Sequence, residues 1–201
     1  MLQPPNKVSP TLADFTQKIS DSKTIHHFRE LIQLTDFAKL NNKLLAVQGG
    51  FAVDLAVGHL TRLHDDLDVV VMKEDLSFFK NFLKKQNYEI SLHENMDPTW
   101  SFNAYKYFDM IQDRVYIDFD GINIREQEVW DGEGENKFIW PISTNQLFWE
   151  RIIEEHTLTF LSPYLIYKFK IIQQNQTKIF RDKEIQDLKL LEVVFPDIVN
   201  K

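Results

Sequence analysis

One segment constrains this chain more than any other: "VQGGFAVDLAVGHLTRLHDDLDVVV", Val47 to Val71. A short apolar run, "KLLAV", ends at the glycine pair Gly49 and Gly50. The stretch "FAVDLAV" is apolar on almost every side, and Gly58 stands where a C-cap belongs. Arg62, His64 and the acids Asp65, Asp66 and Asp68 then lead into the β-branched run "LDVVVM". The segment therefore reads as a buried strand, a glycine turn, a short buried helix, a polar loop and a second strand.

The acids make this segment chemically unusual. Side chains alternate along a strand, so Asp66 and Asp68 project to one face while Asp65 and Leu67 project to the other. Two carboxylates on one face of a buried strand repel each other and lose hydration unless a cation neutralises them. An oxygen-only ligand set suits Mg²⁺, which keeps waters and takes substrate phosphates into its shell. The plainer alternative for "HDDLD" is a solvated turn before a strand. Gly-Gly before a helix is a phosphate cradle or a simple turn: the backbone comes close, and the first N–H groups of the helix attract anions. A nucleoside triphosphate needs both features together, N–H donors for its distal phosphates and metal-binding carboxylates near its α-phosphate.

The rest of the chain sets bounds. Its 201 residues, 43% hydrophobic, are enough for one generous domain or a domain with an appendage. A net charge of -7 argues against a nonspecific grip on nucleic acid, which needs a basic face. With no cysteine, disulfides and thiolate metal sites are excluded. The N-terminus lacks the apolar core of a signal peptide, and no apolar run reaches the length of a membrane span. A cytoplasmic location is expected. The sequence does not set an oligomeric state.

Along the chain, Ser9 and Pro10 predict the start of a first helix carrying Leu12, Phe15 and Ile19 on one face. A second helix is expected from about Thr24 to Leu40, ended by Asn41 and Asn42. "DLSFFKNFLKKQN" is an amphipathic helix with basic residues in its last turn. "YEISLH", "SFNAYKYFD" and "RVYIDFDGI" read as strands, and Asp131 to Asn136 as a turn, with "KFIWPI" returning from it. "NQLFWERIIEEHTLTF" is ambiguous between helix and strand. "SPYLIYKFKIIQQ" opens a helix at Ser162 and Pro163, and "RDKEIQDLKLLEVV" is the last helix. The order suggests an α+β or α/β half, expected to be the catalytic part over residues 1–160, and a helical C-terminal segment over 161–201.

The segment from Gly49 to Asp68 resembles the signature of the DNA-polymerase-β-like nucleotidyltransferases, a glycine pair, a spacer and then Asp-x-Asp. Its "GG…G…TR-x-H-x-DLD" form is similar to that of the antibiotic nucleotidyltransferases acting on aminoglycosides and lincosamides. Gly49, Gly50, Asp54, Gly58, Thr61, Arg62, His64, Asp66, Leu67 and Asp68 all stand where that form places them. The tail, "LSPYLIYKFK" and then "RDKEIQDLKLL", also resembles these enzymes, with Glu184 in place of their usual aspartate.

The resemblance implies an α+β fold, a mixed sheet flanked by helices with a helical C-terminal part. It implies transfer of a nucleoside monophosphate, AMP from ATP, onto a hydroxyl of a small molecule, with two Mg²⁺ ions (or Mn²⁺) held by Asp66 and Asp68. It also implies a third carboxylate on a later strand. In "RVYIDFDGI", Val115, Ile117 and Phe119 alternate toward the core, leaving Asp118 and Asp120 on the other face as two candidates. The family's usual aliphatic residue before the acid favours Asp118. Gly49, Gly50, Arg62, His64 and Lys168 are the expected nucleotide-binding residues, with Arg181 and Lys183 also within reach of a triphosphate by this analogy. Acids crowd the chain around that strand (Glu94, Asp97, Asp109, Asp113, Asp120, Asp131, Glu133 and Glu135), which would suit a cationic acceptor such as an aminoglycoside. Trp100, Trp130, Trp140 and Trp149 are either core residues or surfaces for stacking on a sugar. A tRNA-directed enzyme, a toxin-type nucleotidyltransferase and a non-catalytic nucleotide-binding protein are the alternatives; no membrane partner is expected.

Overall fold

The computed structural model describes residues 10–92, 99–107, 114–125, 128–131, 138–141, 147–178 and 181–200. Helix α1 (Leu12–Thr16) and helix α2 (Ser22–Leu40) lead into strand β1 (Leu45–Val47), helix α3 (Gly49–Val57) and strand β2 (Leu67–Met72). A 3₁₀ turn at Lys73–Asp75 opens helix α4 (Leu76–Lys85). Strands β3 (Glu89–Ser91), β4 (Ser101–Tyr107), β5 (Arg114–Arg125), β6 (Glu128–Asp131), β7 (Phe138–Pro141), β8 (Phe148–Ile153) and β9 (His156–Leu161) follow. Helices α5 (Pro163–Thr177) and α6 (Asp182–Val194) complete the chain with a 3₁₀ turn at Pro196–Asn200.

The strands form one mixed sheet in the order β3-β4-β5-β2-β1-β9-β8, with β6 paired to β5 and β7 to β6. The fold is α+β, as expected. β2 lies near the middle, antiparallel to β1 and parallel to β5. Its unbroken "VVV" reflects cover on both faces. Leu67, Val69 and Val71 join the main core with α2 and α3, whereas Val70 joins a smaller cluster with Ala46, Ile122, Leu147 and Leu165. Alternation then puts Asp66 and Asp68 on the Val70 face, and Asp118 and Asp120 on the Ile122 face of β5, the face that α5 covers through Leu165.

The main core is rich in phenylalanine. Phe15 of α1 stacks on Phe28 of α2 at 4.8 Å, Phe28 faces Phe51 of α3 at 6.2 Å, and Phe51 stacks on the His64 ring at 3.9 Å. Each fully buried ring contributes about 1.5–3 kcal/mol. Together they tie the first two helices to the loop that carries the site. Helices α5 and α6 pack against each other and against α3.

Most expected elements are present; one starts later than expected and one ambiguous stretch is resolved. The first helix is capped by Thr11, whose hydroxyl accepts from Asp14 N in a reciprocal capping box, so it starts at Leu12 and not at Pro10. Ser9 lies outside the described residues. The ambiguous "NQLFWERIIEEHTLTF" is the β8–β9 hairpin: Glu154 takes a left-handed φ of 54° at the turn, and Leu158 and Phe160 alternate into the core. The turn expected at Asp131 to Asn136 falls largely outside the described residues; β6 and β7 pair antiparallel, with Asp131 opposite Phe138. Among the described residues, no helix is long and apolar enough to cross a membrane.

Candidate active site

The glycine pair opens α3 at the end of β1. Gln48 is extended and gives the helix no side-chain cap, so the first N–H groups of α3 face the cleft without a side-chain acceptor. Gly49 has φ of 64°, in the left-handed region, and its Cα lies against Asp68: a Cβ there would overlap the Asp68 carboxylate. A Cβ on Gly50 would overlap the Arg62 guanidinium and approach the His64 ring to 2.7 Å. Two glycines in succession therefore let a helix N-terminus sit directly between a strand acid and a loop arginine.

Four aspartates share one cleft of about 320 Å³ with Gln48, Gly49, Gly50 and Arg62. In the parallel β2–β5 ladder Asp68 lies opposite Asp118, and Val70 lies opposite Asp120. Asp66 precedes Asp68 on the same face. Burial, then the neighbouring Asp66, Asp118 and Asp120 carboxylates, push Asp68 up to about 7, against the Lys170 ammonium. Burial, Asp120 and Asp66 likewise push Asp118 up to about 7, opposed by the Tyr116 hydroxyl. Asp120 is held differently, accepting from Gln48 Nε2 at 2.6 Å. The remaining acid of the motif, Asp65, is exposed and pairs with Lys23 at 2.9 Å. The cleft thus holds more negative charge than its own cations balance at short range. Crowded carboxylate oxygens in this setting fit a hard divalent cation. Among the described residues, the one acid–histidine trio with ligand atoms within 4.8 Å is Glu154, Glu155 and His156 on the β8–β9 hairpin. No three of the cleft acids bring ligand atoms that close together.

Behind the cleft, the rest of the motif braces it. Asp54 is fully buried on α3 and accepts from Thr61 N at 3.0 Å, Thr61 Oγ1 at 2.5 Å and His64 Nε2 at 2.6 Å. With Nε2 donating, His64 Nδ1 is left as an acceptor, and Arg62 Nη1 stands 3.3 Å away. Arg62 grips Asp187 of α6 through Nε and Nη2, both at 3.1 Å. Lys170 of α5 pairs with the same carboxylate at 2.9 Å. Burial works against the charge on both Arg62 and Asp187, yet the ion pair prevails, holding the guanidinium above its usual range and the carboxyl below its own.

The structure thus gathers Gly49, Gly50, Arg62, Asp66, Asp68 and Asp118 around one cleft. His64 stands beneath it, with 2% of its surface exposed, between Phe51 and Asp54. Lys168 is not among the lining residues; its ammonium lies 5.5 Å from the Tyr164 ring. Lys170, two residues further on, does line the cleft. Helical spacing could have found it, because Ile166, Phe169, Lys170 and Gln173 all line the cleft at i, i+3, i+4 and i+7. Arg181 and Lys183 also line it, Arg181 bonded to Glu184. Of the acidic rim, Glu94, Asp97, Asp109, Asp113, Glu133 and Glu135 lie outside the described residues, as does the Asp131 side chain. Trp100 is buried beneath the Lys73 ammonium, and Trp149 packs edge-on against Phe160 and Phe195, so both are packing residues. The Trp130 and Trp140 side chains are outside the described set.

A mixed sheet with acids on two adjacent parallel strands, at the N-terminus of a glycine-led helix, is the architecture of a nucleotidyltransferase of the polymerase-β-like type. Residues 30–170 match the aminoglycoside-2''-adenylyltransferase family, and the chain belongs to that family. Among solved structures, the lincosamide antibiotic adenylyltransferase LnuA, lincomycin-bound, superposes with a TM-score of 0.62 at 17% identity, covering 83% of this chain and 96% of that one. The solution structure of the antibiotic-resistance factor ANT(2'')-Ia also gives 0.62 at 17% identity, with 89% of each chain covered. ANT(2'')-Ia in complex with adenylyl-2''-tobramycin gives 0.58 at 16% identity, with 86% and 95% covered. No curated protein matches the chain by sequence.

Proposed function

We propose that this protein transfers AMP from ATP to a hydroxyl of a small antibiotic-like acceptor, an aminoglycoside or lincosamide, and releases pyrophosphate. The observation that carries the reading is the register: Asp68 and Asp118 face each other across β2 and β5, with Asp66 beside them, directly under the uncapped N-terminus of α3. Asp66, Asp68 and Asp118 are the residues that would hold Mg²⁺, or Mn²⁺ in its place. When bound, the metal supplies charge neutralisation at the α-phosphate and makes the acceptor hydroxyl more acidic. The cytoplasm, where ATP is made available, is the compartment that suits this reaction.

The chain's own groups have separate tasks. The N–H groups of Gly49 and Gly50 and the ammonium of Lys170 bind the distal phosphates and orient the α-phosphorus for in-line attack. Asp118 accepts the proton of the attacking hydroxyl. A new oxygen–phosphorus bond forms while the bond from the α-phosphorus to the bridging oxygen breaks, and pyrophosphate leaves with that electron pair. The register of Asp118 opposite Asp68, on the face that lines the cleft, is what suits it to this task. The rise of Asp118 relative to an ordinary carboxylate comes from burial and crowding, the same features that favour a cation there. Asp120 also lines the cleft and adds to its negative charge, which favours a cationic acceptor. The neighbouring structures hold lincomycin or adenylyl-2''-tobramycin, which sets the first acceptors to try.

The test is incubation with α-labelled ATP, Mg²⁺ and a panel of aminoglycosides and lincosamides, with mass spectrometry for an AMP adduct. An adduct that disappears in Asp66→Asn supports the reading. Binding of ATP without transfer to any acceptor would instead make the protein a nucleotide-binding module.

A further inference from the structure

We propose that Asp187 is a positioning residue for the nucleotide, acting through Arg62 and Lys170; this rests on the nucleotidyltransferase reading above. Asp187 is 2% exposed and, among the described residues, pairs with these two cations, both of which line the cleft. It lies on α6, Lys170 on α5, and Arg62 on the loop between α3 and β2, so one carboxylate joins three separate pieces of chain. The connection continues inward, from Arg62 to His64 and from His64 to Asp54 inside α3. A single hydrogen-bonded chain therefore runs from the helix that presents the phosphate cradle to the two C-terminal helices.

Donor geometry assigns the cations different roles. Arg62 uses Nε and Nη2 on Asp187 and directs Nη1 to the Leu63 carbonyl at 3.0 Å. Its fork is largely committed to the protein, which makes it a wall against Gly50 more than a free phosphate ligand. Lys170 has three N–H donors, and its ion pair with Asp187 leaves others able to turn into the cleft that it lines. A flexible ammonium among the cleft carboxylates has many partners to choose from. A fixed, buried anion behind it selects one position and orders the lysine before the triphosphate arrives, which lowers the entropic cost of binding. Asp187 thus acts on the phosphate tail and not on the nucleoside.

Calorimetric titration of the full chain with MgATP and, by displacement, MgAMP separates this role from general support of the fold. Asp187→Asn is expected to weaken MgATP tenfold or more and MgAMP less than twofold. Combined with Lys170→Gln, it should add little further loss, because both changes remove one device. Equal losses for the two nucleotides, or full additivity of the two substitutions, would overturn the proposal. Should the Asn variant not fold, Asp187→Glu carries the test: it keeps the charge but shifts both cations by a methylene, and must still weaken MgATP selectively, by threefold or more. Unchanged MgATP binding in that variant overturns the proposal. A wild-type protein that binds no MgATP would overturn the nucleotidyltransferase reading first, and this one with it.

Discussion

At the scale of single residues, the cleft holds differently two acids that strand alternation leaves as candidates and the family resemblance ranks with Asp118 first. Asp118 and Asp120 share a face of β5, but only Asp118 stands opposite Asp68; Asp120 stands opposite Val70 and is held by Gln48 at 2.6 Å. Asp118→Asn is expected to bind MgATP nearly normally and to lose on the order of a thousandfold in turnover, as for a general base that also ligates a metal. Asp120→Asn should lose much less. Single-turnover transfer assays on the two variants check this, and exchanged behaviour would move the third acid to Asp120. The glycines make a second contrast. Gly49→Ala forces a left-handed φ on alanine, costing about 1–2 kcal/mol, and its methyl would displace the Asp68 carboxylate. A drop of roughly 3–6 °C in thermal midpoint with lost turnover is expected for a chain of this size. Gly50→Val should instead dislodge Arg62 and His64, so its defect should appear in ATP affinity.

At the scale of elements, local periodicity was a dependable guide and long-range partnership was not. The "LDVVVM" strand, the Asp66/Asp68 face and the Val115–Ile117–Phe119 core face were all legible because a strand's period of two leaves no freedom. The helix at Ser162 was legible from its cap, and its phase should have pointed to Lys170, but two nearby lysines compete in a basic stretch and only the position of the sheet decides between them. Lys168→Met is accordingly expected to leave the KM for ATP within about twofold, and Lys170→Met to raise it by tenfold or more, about 1.4 kcal/mol of binding. Steady-state kinetics with a working acceptor measure both. No local pattern could reveal that Arg62 meets Asp187, 125 positions away, or that Gln48 meets Asp120, 72 positions away. Those contacts exist because the sheet order brings β5 beside β2 and the last helices beside α3. The β8–β9 hairpin stayed ambiguous for a related reason: "LFWERII" offers an apolar pattern to either period, and its pairing with β9, itself paired to β1, settles it.

At the scale of the whole molecule, the crowded acids set how stability varies with pH. Asp68 and Asp118 ionise near 3.8 in the unfolded chain and at about 7 in the folded one. Between those values the folded state holds protons that the unfolded state has released, so stability falls as pH rises from about 4 to 7 and stays low above that. The loss is on the order of 2 kcal/mol or more, since each tenfold difference in proton affinity between the two states is worth about 1.4 kcal/mol. His27 acts with the opposite sign. It is fully buried, with Nδ1 near the Lys23 carbonyl and Nε2 accepting from Tyr116 N, and burial holds its pKa below the usual range. The unfolded chain protonates it near 6.5 while the folded state resists, so its contribution is lost as pH falls below that value. Thermal melts of wild type and Asp68→Asn at matched pH separate the two, because His27 is common to both proteins. The Asn variant should gain stability over wild type as pH rises from about 4 to 7 and keep a constant advantage above. Added Mg²⁺ should reverse the order. Metal binding to the wild-type site displaces the held protons, so its stabilisation grows with pH through the same window; the variant, with a ligand removed, should gain little. A wild-type melting temperature that ignores Mg²⁺ at a pH of about 8, above the window in which these acids ionise, would mean that the crowding of the carboxylates serves something other than a cation.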